Sequence, residues 1–267
     1  MITPLAQAGD PAAFGGKAAG LAKAVHAGLP VPSGIALRYD VVDRIAVGDH
    51  AAFSQALAAA ERLGPYVAVR SSAVGEDGAD ASFAGQHTTM LGVPTDAALE
   101  AAITAVHSSG RSPSASAYRS RLGVAGPVRM AVVLQQIVDA ECAGVLFTRN
   151  PVTHADERVI EASYGFGEAV VGGMVVPDEY RLSRGGAVLS SRVGLKDIAI
   201  RPAATGGTIE VDIDADSAAR LCLTPQRLAA LDYLATRCEA AFAGALDIEW
   251  AFAESALYLL QCRSVTR

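Results

Sequence analysis

Four polar residues stand at alternating positions of two apolar runs. Asp247 and Glu249 belong to Asp247-Ile248-Glu249-Trp250-Ala251-Phe252, and Gln261 and Arg263 close Leu257-Tyr258-Leu259-Leu260-Gln261-Cys262-Arg263. Such alternation reads as a β-hairpin, in which residues i and i+2 share a face. With the strands in register, the four groups converge. A carboxylate and an amide oxygen suit Mg²⁺, a hard ion that takes oxygen ligands and accompanies nucleotide phosphates. The competing reading is the solvent face of an edge hairpin. Arg70 stands where the apolar run 66–69 ends, followed by Ser71, Ser72 and glycines at 75, 78 and 85. Glycine lets backbone N–H groups approach oxyanions, serine adds donors, and arginine meets phosphate with a planar fork. This stretch suits a polyphosphate; the competing reading is a solvated loop after a strand. Lys17 falls in the first turn of a helix expected over 15–25 and ended by Gly28. A cation there opposes the helix dipole, which makes more sense beside an anion.

Strands are expected near 35–37, 66–69, 130–138, 143–148 and 159–162. Helices are expected over 51–63, over 95–108 with Thr95 as N-cap, over 112–122 from Ser112-Pro113, and over 224–243 from Thr224-Pro225. Gly185-Gly186 and Gly206-Gly207 predict hairpins within 181–215. Ser163 to Gly173, rich in glycine, reads as a second wall of a cleft.

The chain has 267 residues, 51% of them hydrophobic and 19% charged, which excludes a disordered protein and allows one large domain or two lobes. A net charge of −6 argues against a general nucleic-acid surface. No apolar run has membrane-spanning length, and the N-terminus lacks a basic n-region, so a cytoplasmic protein without a membrane partner is expected. Cys142, Cys222, Cys238 and Cys262 are widely spaced and read as buried free thiols. Neither a Walker A motif nor a Rossmann fingerprint occurs.

The wording of these stretches is more specific than their composition. Arg70-Ser71-Ser72-Ala73, Glu76-Asp77 and Ser82-Phe83-Ala84-Gly85-Gln86 resemble the glycine loop of the nucleotide-binding domain shared by phosphoenolpyruvate synthase, pyruvate phosphate dikinase and rifampin phosphotransferase. Gly15-Gly16-Lys17, Val133-Leu134-Gln135-Gln136, Gly165-Phe166-Gly167-Glu168, Asp247-Ile248-Glu249-Trp250 and Gln261-Cys262-Arg263 resemble the same family. The resemblance implies an α/β, ATP-grasp-like fold of two lobes with ATP between them. It implies that Glu249 and Gln261 bind Mg²⁺ and that Lys17, Arg70 and Arg263 neutralise phosphate charge. The loop around Gly85 covers the phosphates, and Thr89 and Gln135 add polar contacts to the nucleotide. In the family, the β-phosphate passes to a histidine on a swivelling domain, leaving AMP and finally inorganic phosphate. Three residues depart from the family pattern: Ser264 where proline is common, Cys262 where a small residue is usual, and His154 where glycine is common.

The resemblance covers the chain and stops with it. None of His26, His50, His87, His107 and His154 has the Gly-Gly-x-x-Ser-His-like setting of a swivel histidine. The expectation is therefore one ATP-binding domain over 1–267, either a subunit of a split enzyme or a piece of a longer one, with no acceptor domain and with the histidine-bearing domain or subunit supplied in trans. Two alternatives stay open: an ATP-grasp ligase that makes an acyl-phosphate and releases ADP, and a nucleotide-sensing subunit without catalysis.

Overall fold

Alternation along the strand that carries Arg70 sets the layout of the first lobe. In the computed structural model, which describes residues 1–75, 89–112 and 128–265, this strand runs from Tyr66 to Ala73. Val67, Val69 and Ala73 enter an apolar cluster, and Ala68, Arg70 and Ser72 take the other face. The lobe comprises β1 (Ile2–Pro4), α1 (Pro11–His26), β2 (Gly34–Leu37), α2 (Tyr39–Ala46), α3 (His50–Ala60), β3 (Tyr66–Ala73), β4 (Thr89–Pro94), α4 (Ala98–Ser109) and β5 (Met130–Gln136). Its antiparallel sheet has the order β1-β2-β5-β3-β4. Helices α2, α3 and α4 cover one face through Val41, Ile45, Ala56 and Ile103. Helix α1 covers part of the other face, packing Phe14, Ala18 and Leu21 on Ala36 and Val133.

The second lobe is a six-stranded antiparallel sheet built from β6 (Cys142–Phe147), β7 (Glu157–Tyr164), β8 (Asp178–Ser183) and β9 (Val188–Arg192), completed by β12 (Leu246–Ala253) and β13 (Ala256–Ser264). Its order is β13-β12-β6-β7-β8-β9. Between them in sequence lie the one-turn helix α5 (Glu168–Val171), the hairpin of β10 (Ile198–Pro202) and β11 (Thr208–Asp212), and the helices α6 (Ala215–Ala218) and α7 (Pro225–Ala241). Leu228, Leu231 and Leu234 of α7 meet Leu146, Ile160, Tyr180 and Trp250 of the sheet. Each such buried side chain contributes about 1.5–3 kcal/mol. Thr224 caps α7 by accepting from the Arg227 N–H, with Pro225 in the first helical position. The tip of the β10–β11 hairpin reaches the first lobe, where Gly207 N–H donates to the Gly92 carbonyl (2.7 Å). A Cβ on Gly92 would lie 2.4 Å from the Gly207 carbonyl oxygen, so the two backbones meet only without a side chain.

The α/β class and the two lobes agree with expectation, as do both hairpins. Several boundaries do not, three of them for reasons visible in the contacts. Strand β3 continues past Arg70 because β5 pairs with it as far as Ala73↔Met130. Helix α1 starts at Pro11, capped by Asp10, and is broken at Gly15 (φ 78°, ψ 171°). Thr95 does not cap α4: its hydroxyl donates to the Gly64 carbonyl, and Asp96 accepts from the Ala98 N–H instead. Helix α2 had no sequence expectation. The helix expected over 112–122, Gly85 and His87 lie outside the described residues. Among the described residues, no helix is long and apolar enough to cross a membrane.

Candidate functional site

A cleft of about 760 Å³ opens between the two sheets. From the first lobe it is lined by Lys17, Arg70, Thr89 and Gln135, and from the second by Glu249, Gln261 and Arg263. Seven of the eight site residues expected from sequence thus face one space; the eighth, Gly85, is outside the described residues.

Lys17 owes its position to the break in α1. A Cβ on Gly15 would lie 2.1 Å from the Ser72 carbonyl oxygen, and the positive φ also favours glycine. The Ser72 hydroxyl donates to the Phe14 carbonyl (2.7 Å) and accepts from the Ala18 N–H (3.0 Å). It thereby caps the helical segment that restarts at Gly16, and Lys17 stands in the first turn of that segment, 8% exposed. This corrects the expectation that Ser71 and Ser72 donate to phosphate. Ser72 is committed to α1, and Ser71, paired with Val132, faces the helical layer.

Arg70 joins the two lobes. Its Nη1 donates to Gln135 Oε1 (3.1 Å) and to the Leu260 carbonyl (2.5 Å). Its Nη2 donates to Glu249 Oε2 (3.1 Å) and Gln261 Oε1 (3.0 Å). Thr89 is its register partner on β4, which places both at the cleft. Gln135, 2% exposed, holds Arg70 with its oxygen and donates its amide to the Pro32 carbonyl (3.3 Å). This glutamine was expected to meet nucleotide, and both of these bonds lie within the protein.

The closing hairpin is in register as the alternation predicts, with Glu249↔Gln261 and Asp247↔Arg263. The four groups form two pairs. Glu249 and Gln261 aim oxygens at the same guanidinium nitrogen. Asp247 Oδ2 accepts from Arg263 Nε (2.9 Å) and Nη2 (2.7 Å). Burial pushes the Asp247 carboxyl above the usual carboxylate range, Arg263 opposes this, and Glu249 adds to it. Its other oxygen is buried without a hydrogen-bond partner among the described residues. Sequence reasoning named Asp247 in the hairpin but missed it as the partner that orients Arg263; the i, i+2 spacing to Glu249 carried that signal. It placed Ser163 to Gly173 as a wall of the cleft, which Phe166, Gly167 and Glu168 do line, but missed the apolar contribution of Leu91, Ile137, Val138 and Leu260.

Two oxygens converging on one nitrogen form a donor set that a hard cation accepts. Among the described residues there is no cluster of three or more His, Cys, Asp and Glu that suits a metal. Glu249 and Gln261 offer two such oxygens, and Mg²⁺ uses few protein ligands and completes its shell with phosphate and water.

Comparison with known proteins decides the family. A family model described as pyruvate phosphate dikinase, AMP/ATP-binding domain, matches residues 48–267. The chain belongs to this family. An uncharacterized phosphotransferase, YvkC, of Bacillus subtilis is 38% identical over 75% of the chain and 24% of its own length. Rifampicin phosphotransferase of Streptomyces sviceus is 38% identical over 84% of the chain and 26% of its own. A "probable phosphoenolpyruvate synthase" of Methanothermobacter thermautotrophicus is 37% identical over 75% of the chain and 30% of its own. The chain thus spans between about a quarter and a third of the length of these relatives. Among solved structures, D-alanine–D-alanine ligase from Bacillus anthracis complexed with ATP covers 93% of this chain with a TM-score of 0.43 and 10% identity. Of the departures from the pyruvate phosphate dikinase family pattern, His154 has a left-handed backbone (φ 58°), a conformation that glycine adopts without strain.

Proposed function

We propose that this chain is the ATP-activating part of a dikinase-type phosphotransferase. One observation carries the reading: in a member of an AMP/ATP-binding family, Arg70, Glu249 and Gln261 converge in a cleft that Lys17 and Arg263 also line. The apolar end takes the base and the cationic end takes the phosphates. Lys17, Arg70 and Arg263 offset the charge that develops as a phosphoryl group moves. Bound Mg²⁺, held by Glu249 and Gln261, supplies further neutralisation of phosphate charge. The chain's part is positioning and charge stabilisation, because phosphoryl transfer asks for in-line geometry and little covalent help.

None of the described histidines lines the cleft. His107, for example, is buried against Asp43 (2.8 Å). In this reading the acceptor histidine arrives on a swivelling domain and attacks the β-phosphorus of ATP; the bond between that phosphorus and the α-phosphate oxygen breaks, AMP leaves, and the terminal phosphate is then released as inorganic phosphate. The test is calorimetry with ATP in the presence and absence of Mg²⁺. It is followed by chromatography of nucleotides after incubation with and without a histidine-bearing domain from a longer relative. Mg²⁺-dependent binding, and AMP that accumulates only with the added domain, is the expected result. ADP as the main product would transfer the chain to the acyl-phosphate ligases, and failure to bind ATP would end the reading.

A further inference from the structure

The cleft holds a second carboxylate that the proposed chemistry leaves unused. Glu168 lines it from α5, apart from the hairpin that carries Glu249 and Gln261. Glu249 is bonded to Arg70, whereas Glu168 is exposed and makes no ion pair or hydrogen bond through its side chain among the described residues. Its backbone is nevertheless well fixed. Phe166 and Ala169, on either side, are buried, the Phe166 N–H donates to the Ile200 carbonyl (2.9 Å), and the Glu168 carbonyl accepts from the Gly172 N–H (2.8 Å). Among the described residues this carboxylate is therefore unpartnered, and it stands on a hydrogen-bonded backbone beside the apolar surface of Phe166 and Val171.

A nucleotide with its phosphates at Lys17, Arg70 and Arg263, and its base in the apolar end, places a sugar between the two. An ionised carboxylate accepts hydrogen bonds and donates none, so it matches the two adjacent hydroxyls of a ribose. It gives nothing to a second phosphate, which it repels, or to an apolar group.

We propose that Glu168 receives the ribose hydroxyls and makes this cleft selective for ribonucleotides over deoxyribonucleotides. The inference rests on the nucleotide reading above and adds to it a specificity that the phosphate contacts cannot provide, since ATP and its deoxy analogues carry the same triphosphate. A charge-assisted hydrogen bond lost at the sugar should cost on the order of tenfold in affinity, about 1.4 kcal/mol.

The experiment is calorimetry of the full chain with Mg²⁺ and ATP, 2′-deoxyATP or 3′-deoxyATP, repeated for Glu168→Ala and Glu168→Gln, with a thermal melt of each variant. The wild type should bind ATP about tenfold or more tightly than at least one deoxy analogue. Glu168→Ala should bring ATP down to the level of that analogue and leave the analogue's own affinity unchanged. Glu168→Gln, which keeps one acceptor oxygen, should fall between. Equal wild-type affinity for all three nucleotides would overturn the proposal while the ATP reading stood. So would a variant that weakens all three alike, or one that retains the preference. Wild type that binds none of the three would overturn the nucleotide reading and this proposal together.

Discussion

Two buried arginines, one in each lobe, are satisfied in opposite ways. Arg158 on β7 is 1% exposed and all its bonds go to α7: Nε to Asp232 (2.5 Å), Nη1 to Glu239 (3.1 Å) and Nη2 to Thr236 (3.0 Å). Two carboxylates enclose one guanidinium, and Arg184 shares Glu239 (2.8 Å). Arg70 is 7% exposed, yet its acceptors are two amides, a carbonyl and a single carboxylate, Glu249, which keeps 23% of its side chain exposed. Those acceptors come from β5, β12 and β13. The first arginine is neutralised and fastens a helix to a sheet. The second faces a cleft with its charge only partly countered, and the carboxylate that counters it is the one proposed to hold Mg²⁺. A cation taken up by Glu249 and Gln261 would free the Arg70 guanidinium for phosphate. What separates these two arginines is the charge of their partners, since burial is nearly equal.

The sharpest test of this contrast is Arg158→Met. It leaves Asp232 and Glu239 without their buried partner and should cost about 3–5 kcal/mol in urea denaturation, with the ATP affinity of the folded fraction unchanged. An unchanged denaturation midpoint would remove the distinction. Arg70→Met should act the other way. Phosphoryl transfer to an added histidine domain should fall by about 10²–10³-fold, as for loss of one preorganised donor, with a smaller loss of stability than Arg158→Met. Arg70→Lys should not restore it, because a single ammonium cannot reach acceptors on three strands as a planar fork does. Retention of transfer in Arg70→Met would overturn the role given to Arg70.

The smallest effect lies in the pH response. Burial alone would raise the Glu239 carboxyl, but Arg184 and Arg158 hold it below its ordinary 4.5. Its contribution to stability is therefore present above that value and lost as pH falls through the lowered one. Asp247, paired with Arg263 on the closing hairpin, is held above its ordinary 3.8 by burial, so its contribution is present below that value and lost as pH rises through the raised one. Denaturation midpoints between about pH 3 and pH 6 should show this as opposite changes of slope. Glu239→Gln should flatten the loss of stability on acidification, and Asp247→Asn should remove a decline on going toward neutrality. Slopes of the same sign in the two variants would contradict the assignment.

The cleft was more legible in the sequence than the scaffold. Asp247, Glu249, Gln261 and Arg263 announce a hairpin because period two survives through both strands, and the register followed from it. Lys17 stood out because a cation at a helix start is locally unfavourable. Ser72 was misread because a hydroxyl after a strand looks the same whether it meets a ligand or a buried helix end 54 residues away in sequence. Arg158 carried no signal at all. Its neighbour Glu157 makes it read as the exposed start of a strand, and Asp232, Thr236 and Glu239, at helical spacing, read as a solvated face. Long-range pairing of charges leaves no local pattern, whereas alternation within one strand does.

Strand β3 also acts as a gauge. Arg70 and Ser72 are two residues apart on one face, about 7 Å along the strand. Arg70 delivers its charge directly, and Ser72 delivers that of Lys17 by fixing the helix on which Lys17 rides. The separation of the two cations is thus cut into a single piece of backbone. A slip of β3 by one residue against β5 would turn both positions to the helical layer and remove both charges from the cleft at once. The two cannot be retuned separately by moving the strand, so the length of anion proposed for this wall is a dimension of the sheet as much as a choice of side chains.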